Sequence, residues 1–273
     1  MASNTPAGRR RVAVTGVGVV APCGIGKDAF WAGLLREPQQ GLRRIEDWDP
    51  SPWFNNPKEI RRADRFEQFA VAAAAEALEQ SGRPSGDPVR QGVIVGTGIG
   101  GLHTIEEQTI VRYEKGPKRV SPFLIPMVMG NAPAAAVSMR NGFQGPCETV
   151  VTACAAGTHS VANAARLIMY GRCDAMIAGS TEAAMTVTGV AGFTNMTAMS
   201  NTLTSRPFDA GRDGFVMAEG AAVLVLEELE AARARGATVL AEILGGASTA
   251  DAHHITAPAP DGSGAVACIE LAL

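Results

Sequence analysis

Short apolar runs rich in Val, Ile and Ala alternate along the chain with longer stretches in which apolar residues recur every three or four positions. The short runs, RVAVTGVGVV at 11–20, GVIVG at 92–96, ETVVT at 148–152, CDAMIA at 173–178 and AAVLVL at 221–226, predict buried strands. The periodic stretches predict helices over 27–35, 57–81, 126–140, 155–170 and 227–235. Turn-forming residues separate them: WDPSPWFNN at 48–56, TGIGG at 97–101, EKGPKRVSP at 114–122 and SRPFDAGRDGFVMAE at 205–219. In the last of these, Asp209, Arg212 and Asp213 are spaced to pair and fix the loop. The stretch 186–203, rich in Gly, Met, Thr and Asn, reads either as a flexible lining of an apolar pocket or as a Met-rich core segment. Repeated strand, helix, strand units predict an α/β fold with a mostly parallel sheet covered on both faces.

Composition narrows the function classes. At 273 residues and 46% hydrophobic content the chain can bury a substantial core. Its 24 basic and 27 acidic residues give a net charge of −3, so no global field attracts nucleic acid or an anionic membrane. The five cysteines form no CxxC pair and no cluster with histidine at ligand spacing, which predicts no metal site and a reducing, cytoplasmic setting. The apolar stretch at 12–20 is too short and too glycine-rich to span a membrane. Gly16 and Gly18 invite a dinucleotide-loop reading, but Val19, Val20, Ala21 and Pro22 follow where such a loop should enter a helix.

The candidate chemistry sits between the strand at 148–152 and the helix at 155–170, where Cys154 occupies the join. Unpaired N–H groups and the helix dipole place partial positive charge at that point, the setting of a nucleophilic thiolate. A buried, inert cysteine in a core strand is the alternative. His159 follows five residues later, about 140° round the helix from the cysteine, which makes it a structural histidine and not its base. Lys58, Arg61, Arg62 and Arg65 share one side of the helix opening at 57 and read first as a solvated face.

These segments together resemble the elongating β-ketoacyl-[acyl carrier protein] synthases of type II fatty acid synthesis, the synthase II branch of the thiolase-like condensing enzymes. The resemblance is carried by VAVTGVGVVAPCG, PKEIRRADRFEQFAVAAA, GTGIGGL, VTACAAGTHSVANAARLI, AGSTEA, SRPFDAGRDGFVMAEGA and DAHHITAP. It implies a thiolase-like fold, layered αβαβα in duplicated halves, and an acyltransferase that joins an acyl thioester to malonyl-carrier protein by decarboxylative Claisen condensation. Cys154 is then the acylated nucleophile, with its backbone N–H in an oxyanion hole, and Ile99 gates an acyl tunnel lined by Ile125, Gly189 and Phe193 at a homodimer interface. Lys58, Arg61, Arg62, Lys118, Arg119 and Arg206 match the docking surface for an acidic acyl carrier protein, with His254 and Thr256 on the entrance loop. No cofactor is implied.

The resemblance also predicts departures. Residues 1–236 correspond to the nucleophile-bearing N-terminal half, and 237–273 to the start of a C-terminal half that would carry the two active-site histidines, the supporting lysine and a Gly-Phe-Gly-Gly loop. None of His103, His159, His253 and His254 matches a catalytic histidine. A truncated chain is therefore expected to acylate Cys154 without completing the condensation and to expose a broad apolar face. The join between Trp48 and Pro57 is shorter than the family's. Two other readings stay open: a polyketide-type ketosynthase, and a non-catalytic carrier-binding partner subunit.

Overall fold

The computed structural model describes residues 8–37 and 40–273. Its elements are β1 (Val12–Ala21), β2 (Gly24–Ile25), α1 (Lys27–Leu34), α2 (Pro57–Ile60), α3 (Arg65–Ser81), β3 (Gln91–Gly96), α4 (Leu102–Lys115), α5 (Leu124–Val128), α6 (Ala132–Asn141), β4 (Cys147–Glu148), α7 (Ala156–Met169), β5 (Ala175–Glu182), α8 (Val187–Asn195), β6 (Gly220–Glu228), α9 (Leu229–Ala234), β7 (Ala241–Ile243) and α10 (Ser263–Ala272). The strands form one sheet in the order β2-β1-β6-β5-β3-β4, with β7 also on β1. Helices α3 and α6 cover one face around Phe66, Phe69, Leu78, Val93 and Val225, and α7 covers the other around Val12, Ile94, Ile168, Met176 and Leu226.

The mostly parallel sheet expected from the strand-helix-strand rhythm is corrected to a mixed one. β3 runs parallel to β4 and β5, whereas β6 runs antiparallel to both β5 and β1. The connection from β5 to β6 is α8 plus a long turn region that returns the chain to the end of the sheet it left, so no crossover intervenes.

Three element boundaries also move. The buried strand expected over 148–152 is an exposed two-residue edge strand, Cys147–Glu148, followed by half-buried Thr149 and Val150 and exposed Val151 and Thr152, because β3 is its single partner in the sheet. The helix expected over 57–81 breaks after Ile60 and restarts where Asp64 caps α3, accepting the Phe66 N–H at 3.2 Å. The helix expected over 126–140 is two, α5 and α6, joined through Met129–Asn131 and restarted with Pro133 in its first turn.

Gly16 and Gly18 serve packing, as their departure from a dinucleotide loop suggested. A Cβ at Gly16 would lie 2.0 Å from the Ala77 carbonyl oxygen, and one at Gly18 would lie 1.8 Å from that of Ala73. The absent side chains let α3 press against β1, and Ala70, Ala73, Ala74 and Ala77 complete the contact. Two buried ion pairs brace the two ends of β6: Arg65 with Glu219, and Arg235 with Glu227, which also accepts the Thr15 hydroxyl.

Candidate active site

β3, β4 and β5 are parallel neighbours, so the turns leaving their C-terminal ends gather at one place. The turn after β3 carries Thr97–Gly101, that after β4 leads to Cys154, and β5 ends at Glu182. Cys154 lies in a single 3₁₀ turn, Ala153–Ala155, immediately before α7. Ala153 is held at φ 49°, a left-handed conformation costly for alanine, and the Ala155 N–H closes the turn on the Thr152 carbonyl at 3.1 Å. This sharp reversal projects an exposed thiol at the head of a fourteen-residue helix dipole. The alternative of a cysteine buried in a core strand does not hold, since Cys154 is exposed and lies outside the sheet.

His159 does not reach toward that thiol. Its Nδ1 is hydrogen-bonded with the Thr152 hydroxyl at 2.8 Å, which ties the first turn of α7 back to the residue before the Cys154 turn.

Cys154 opens into a cavity of about 570 Å³ whose lining is largely apolar: Ile99, Phe193, Phe215, Val216 and Met217 among others. Phe193 and Phe215 meet edge to face at 5.4 Å and close one side. No histidine lines this cavity among the described residues. Its one ionisable wall residue besides the thiol is Glu182, whose Oε2 accepts the N–H of Gly98 at 2.8 Å and of Ile99 at 3.0 Å. Burial pushes the Glu182 carboxyl above its ordinary range, with those hydrogen bonds working in the opposite direction.

Residues 38–232 match the family model described as the N-terminal domain of beta-ketoacyl synthase. The 3-oxoacyl-[acyl-carrier-protein] synthase 2 of Synechocystis is 42% identical over 289 residues, covering 97% of this chain and 69% of its own. The chain belongs to the β-ketoacyl synthase family. The enzyme of the same name from Rhizobium meliloti is also 42% identical, with 97% of this chain and 70% of that protein covered. Among solved structures, the ishigamide ketosynthase/chain length factor superposes with a TM-score of 0.87 at 32% identity, covering 97% of this chain and 69% of its own. A type II polyketide ketosynthase in complex with its acyl-carrier protein, bound to a hexaketide, gives 0.83 at 30% identity over the same shares. The sheet with its two helical layers thus has the thiolase-like ketosynthase fold, the N-terminal domain match ends at residue 232, and β7 and α10 lie beyond it.

Set beside the β-ketoacyl synthase expectations, the structure brings some residues together and leaves others apart. Cys154, Ile99 and Phe193 share one cavity. Gly189 lies outside its lining, in the first turn of α8, where its N–H donates to the Thr186 hydroxyl at 3.0 Å and a Cβ would meet the Ala184 carbonyl oxygen at 2.3 Å. Ile125, on α5, is 64% exposed and also outside the lining. His254 and Thr256 sit together in the 250–258 loop, the Thr256 N–H donating to His254 Nδ1 at 3.2 Å, and line a separate surface hollow.

The basic residues form a more coherent surface than their spacing suggests. The Arg62 guanidinium stacks over the Phe123 ring at 4.2 Å, drawing the segment with Lys58 and Arg61 beside the one with Lys118 and Arg119. Arg206 is different: it donates to the Gly211 carbonyl at 2.5 Å and pairs with Asp213 at 3.6 Å, so its charge is spent within its own loop. Asp213 fixes that loop by accepting the Ser200 hydroxyl and the Asn201 N–H, and Arg212 turns to the Asp209 carbonyl. Two cavity residues, Glu182 and Phe215, were passed over by sequence reasoning. An acidic residue ending an apolar strand was the available signal for the first, and Phe215 carried none.

Proposed function

We propose that the chain accepts an acyl group from an acyl-carrier-protein thioester on Cys154, as the first half of the decarboxylative condensation that elongates fatty acids. The observation that carries this reading is the exposed thiol at the head of α7, opening on an apolar cavity. The Cys154 thiolate attacks the thioester carbonyl carbon, and the developing oxyanion is met by backbone N–H groups at the helix start, that of Cys154 itself included. The carbon–sulfur bond to the carrier breaks, the carrier thiol leaves with a proton, and the alkyl chain lies along Ile99, Phe193 and Phe215. Burial of each methylene contributes about 0.8 kcal/mol. Lys58, Arg61, Arg62, Lys118 and Arg119 provide a cationic surface for an acidic carrier, which acts chiefly on encounter rate and orientation. Decarboxylation of the malonyl partner needs hydrogen-bond donors to the enolate oxygen, and the histidines expected for that role are not among the residues lining this cavity. We assign residues 1–236 to the acyl-accepting unit, with the homodimer and cytoplasmic setting of the resemblance as part of the same reading.

The solved polyketide ketosynthases among its structural relatives favour a second reading, in which the substrate is a polyketone chain. The apolar lining supports the reduced alkyl chain instead. The test is release of free carrier thiol when the chain meets acyl carrier protein loaded with a straight alkyl or a β-keto acyl group. Faster release from the alkyl thioester, lost in Cys154→Ala, supports the elongation reading. Faster release from the β-keto thioester supports the second, and no release from either overturns both.

A further inference from the structure

Glu182 takes no part in the acyl transfer described above, yet it is committed to the turn that faces Cys154. Its Oε2 collects three donors: the N–H of Gly98 at 2.8 Å, the N–H of Ile99 at 3.0 Å and the Thr97 hydroxyl at 3.2 Å. Thr97 Oγ1 in turn accepts the Gly100 N–H at 3.1 Å, so one carboxylate oxygen organises the whole turn. Glycine at 98, 100 and 101 gives this segment little stiffness of its own. A Cβ on Gly98 would stand 3.0 Å from that oxygen, which shows how closely the turn is drawn onto the carboxylate. The second oxygen, Oε1, is buried without a hydrogen-bond partner. A half-satisfied buried carboxyl is costly, and the fold retains it where it faces the cavity of Cys154.

Ile99 is the one large side chain on the turn and lines that cavity. For a long chain on Cys154 to pass Ile99, the turn must move, and moving it breaks the hydrogen bonds to Glu182. We infer that Glu182 is a positioning residue that holds Ile99 across the Cys154 cavity and thereby sets the length of alkyl chain the thiol can carry. The inference rests on reading Cys154 as the acyl-accepting thiol.

Alkyl methanethiosulfonates test it without a carrier protein. The Cys154 thiolate attacks the reagent's sulfenyl sulfur, a mixed disulfide forms and methanesulfinate leaves, so the rate for each alkyl length reports the room beside the thiol. The quantity read, by intact mass, is the ratio of the labelling rate with a long-chain reagent to that with the methyl reagent, in a background where the other cysteines are serine. The ratio is low in the parent chain. In Glu182→Ala it rises on the order of tenfold, the scale of losing hydrogen bonds to a charged acceptor. Glu182→Gln, whose amide oxygen can still accept the same N–H groups, stays close to the parent. Ile99→Ala, which leaves the carboxyl in place, raises the ratio as Glu182→Ala does, and adding Glu182→Ala to it changes little further; if Glu182→Ala folds poorly, a ratio that Ile99→Ala leaves unchanged still overturns the inference. An unchanged ratio in Glu182→Ala, a flat length dependence in the parent, or additive effects in the double variant would each overturn the inference. If these ratios shift as expected while acyl-carrier thioesters transfer nothing, the positioning role stands and the acyl-transfer reading falls.

Discussion

Cys154 was legible because its signal is local: a β-branched run, a break and an alanine-rich helix with a thiol at the join. The structure adds the left-handed Ala153 that turns the thiol outward, a conformation that a non-glycine sequence does not announce. Glu182 was only faintly legible and Phe215 not at all, because what makes them site residues is contact elsewhere in the chain: the Gly98–Ile99 turn for Glu182 and Phe193 on α8 for Phe215. Another residue of this kind is Glu67, whose carboxyl is pushed up to about 8 by burial, with the Asp64 charge adding to the effect. A raised folded-state pKa means a contribution to stability that is present below about 4.5 and lost as pH rises through about 8. Glu67→Gln should therefore match the parent in acid and melt above it in mild alkali by at least about 2–4 °C, the equivalent of roughly 1 kcal/mol. Melting curves across that pH range check the sign.

Among elements, the long apolar strands and α3 and α7 were legible from periodicity, and the failures share a cause. The 148–152 run has strand composition, yet it lies at a sheet edge with one partner, and after Glu148 a single backbone bond, from the Thr97 N–H to the Val150 carbonyl, holds it to the β3 side. The breaks at Asp64 and at Met129–Asn131 come from side chains that cap a new helix or cannot continue an old one. α3 is further held by Arg65, which meets Glu219 and donates to the Ile45 carbonyl at 2.6 Å. Glu219 is 2% exposed, so Arg65→Ala leaves a buried carboxylate without its cation. Equilibrium denaturation should then show a loss of about 3–5 kcal/mol.

At the scale of the whole molecule, the α/β class was legible from element order, whereas the mixed sheet was not, since strand direction depends on where a long connection returns. Asp174 joins the chain's beginning to its middle, pairing with Arg10 at 2.6 Å and Arg90 at 2.5 Å. Chiefly through the Arg90 hydrogen bond, its carboxyl is held at about 2, below the ordinary 3.8. That contribution is present above about 3.8 and lost as pH falls toward 2, so the difference in melting temperature between Asp174→Asn and the parent should shrink over that interval. Exposed apolar side chains cluster near the end of the described chain: α10 buries no residue, and Val266, Ile269 and Leu271 are exposed, as is Leu244. Sedimentation should therefore show association that rises with protein concentration and weakens when Ile269 and Leu271 are replaced by serine.

The measurement that tests the account most directly is the intact mass of the chain and of Cys154→Ala after incubation with an acyl-carrier-protein thioester. A single added acyl group on the parent and none on the variant is the predicted result. No adduct on the parent, or an equal adduct on both, would contradict the assignment of Cys154 as the acyl acceptor.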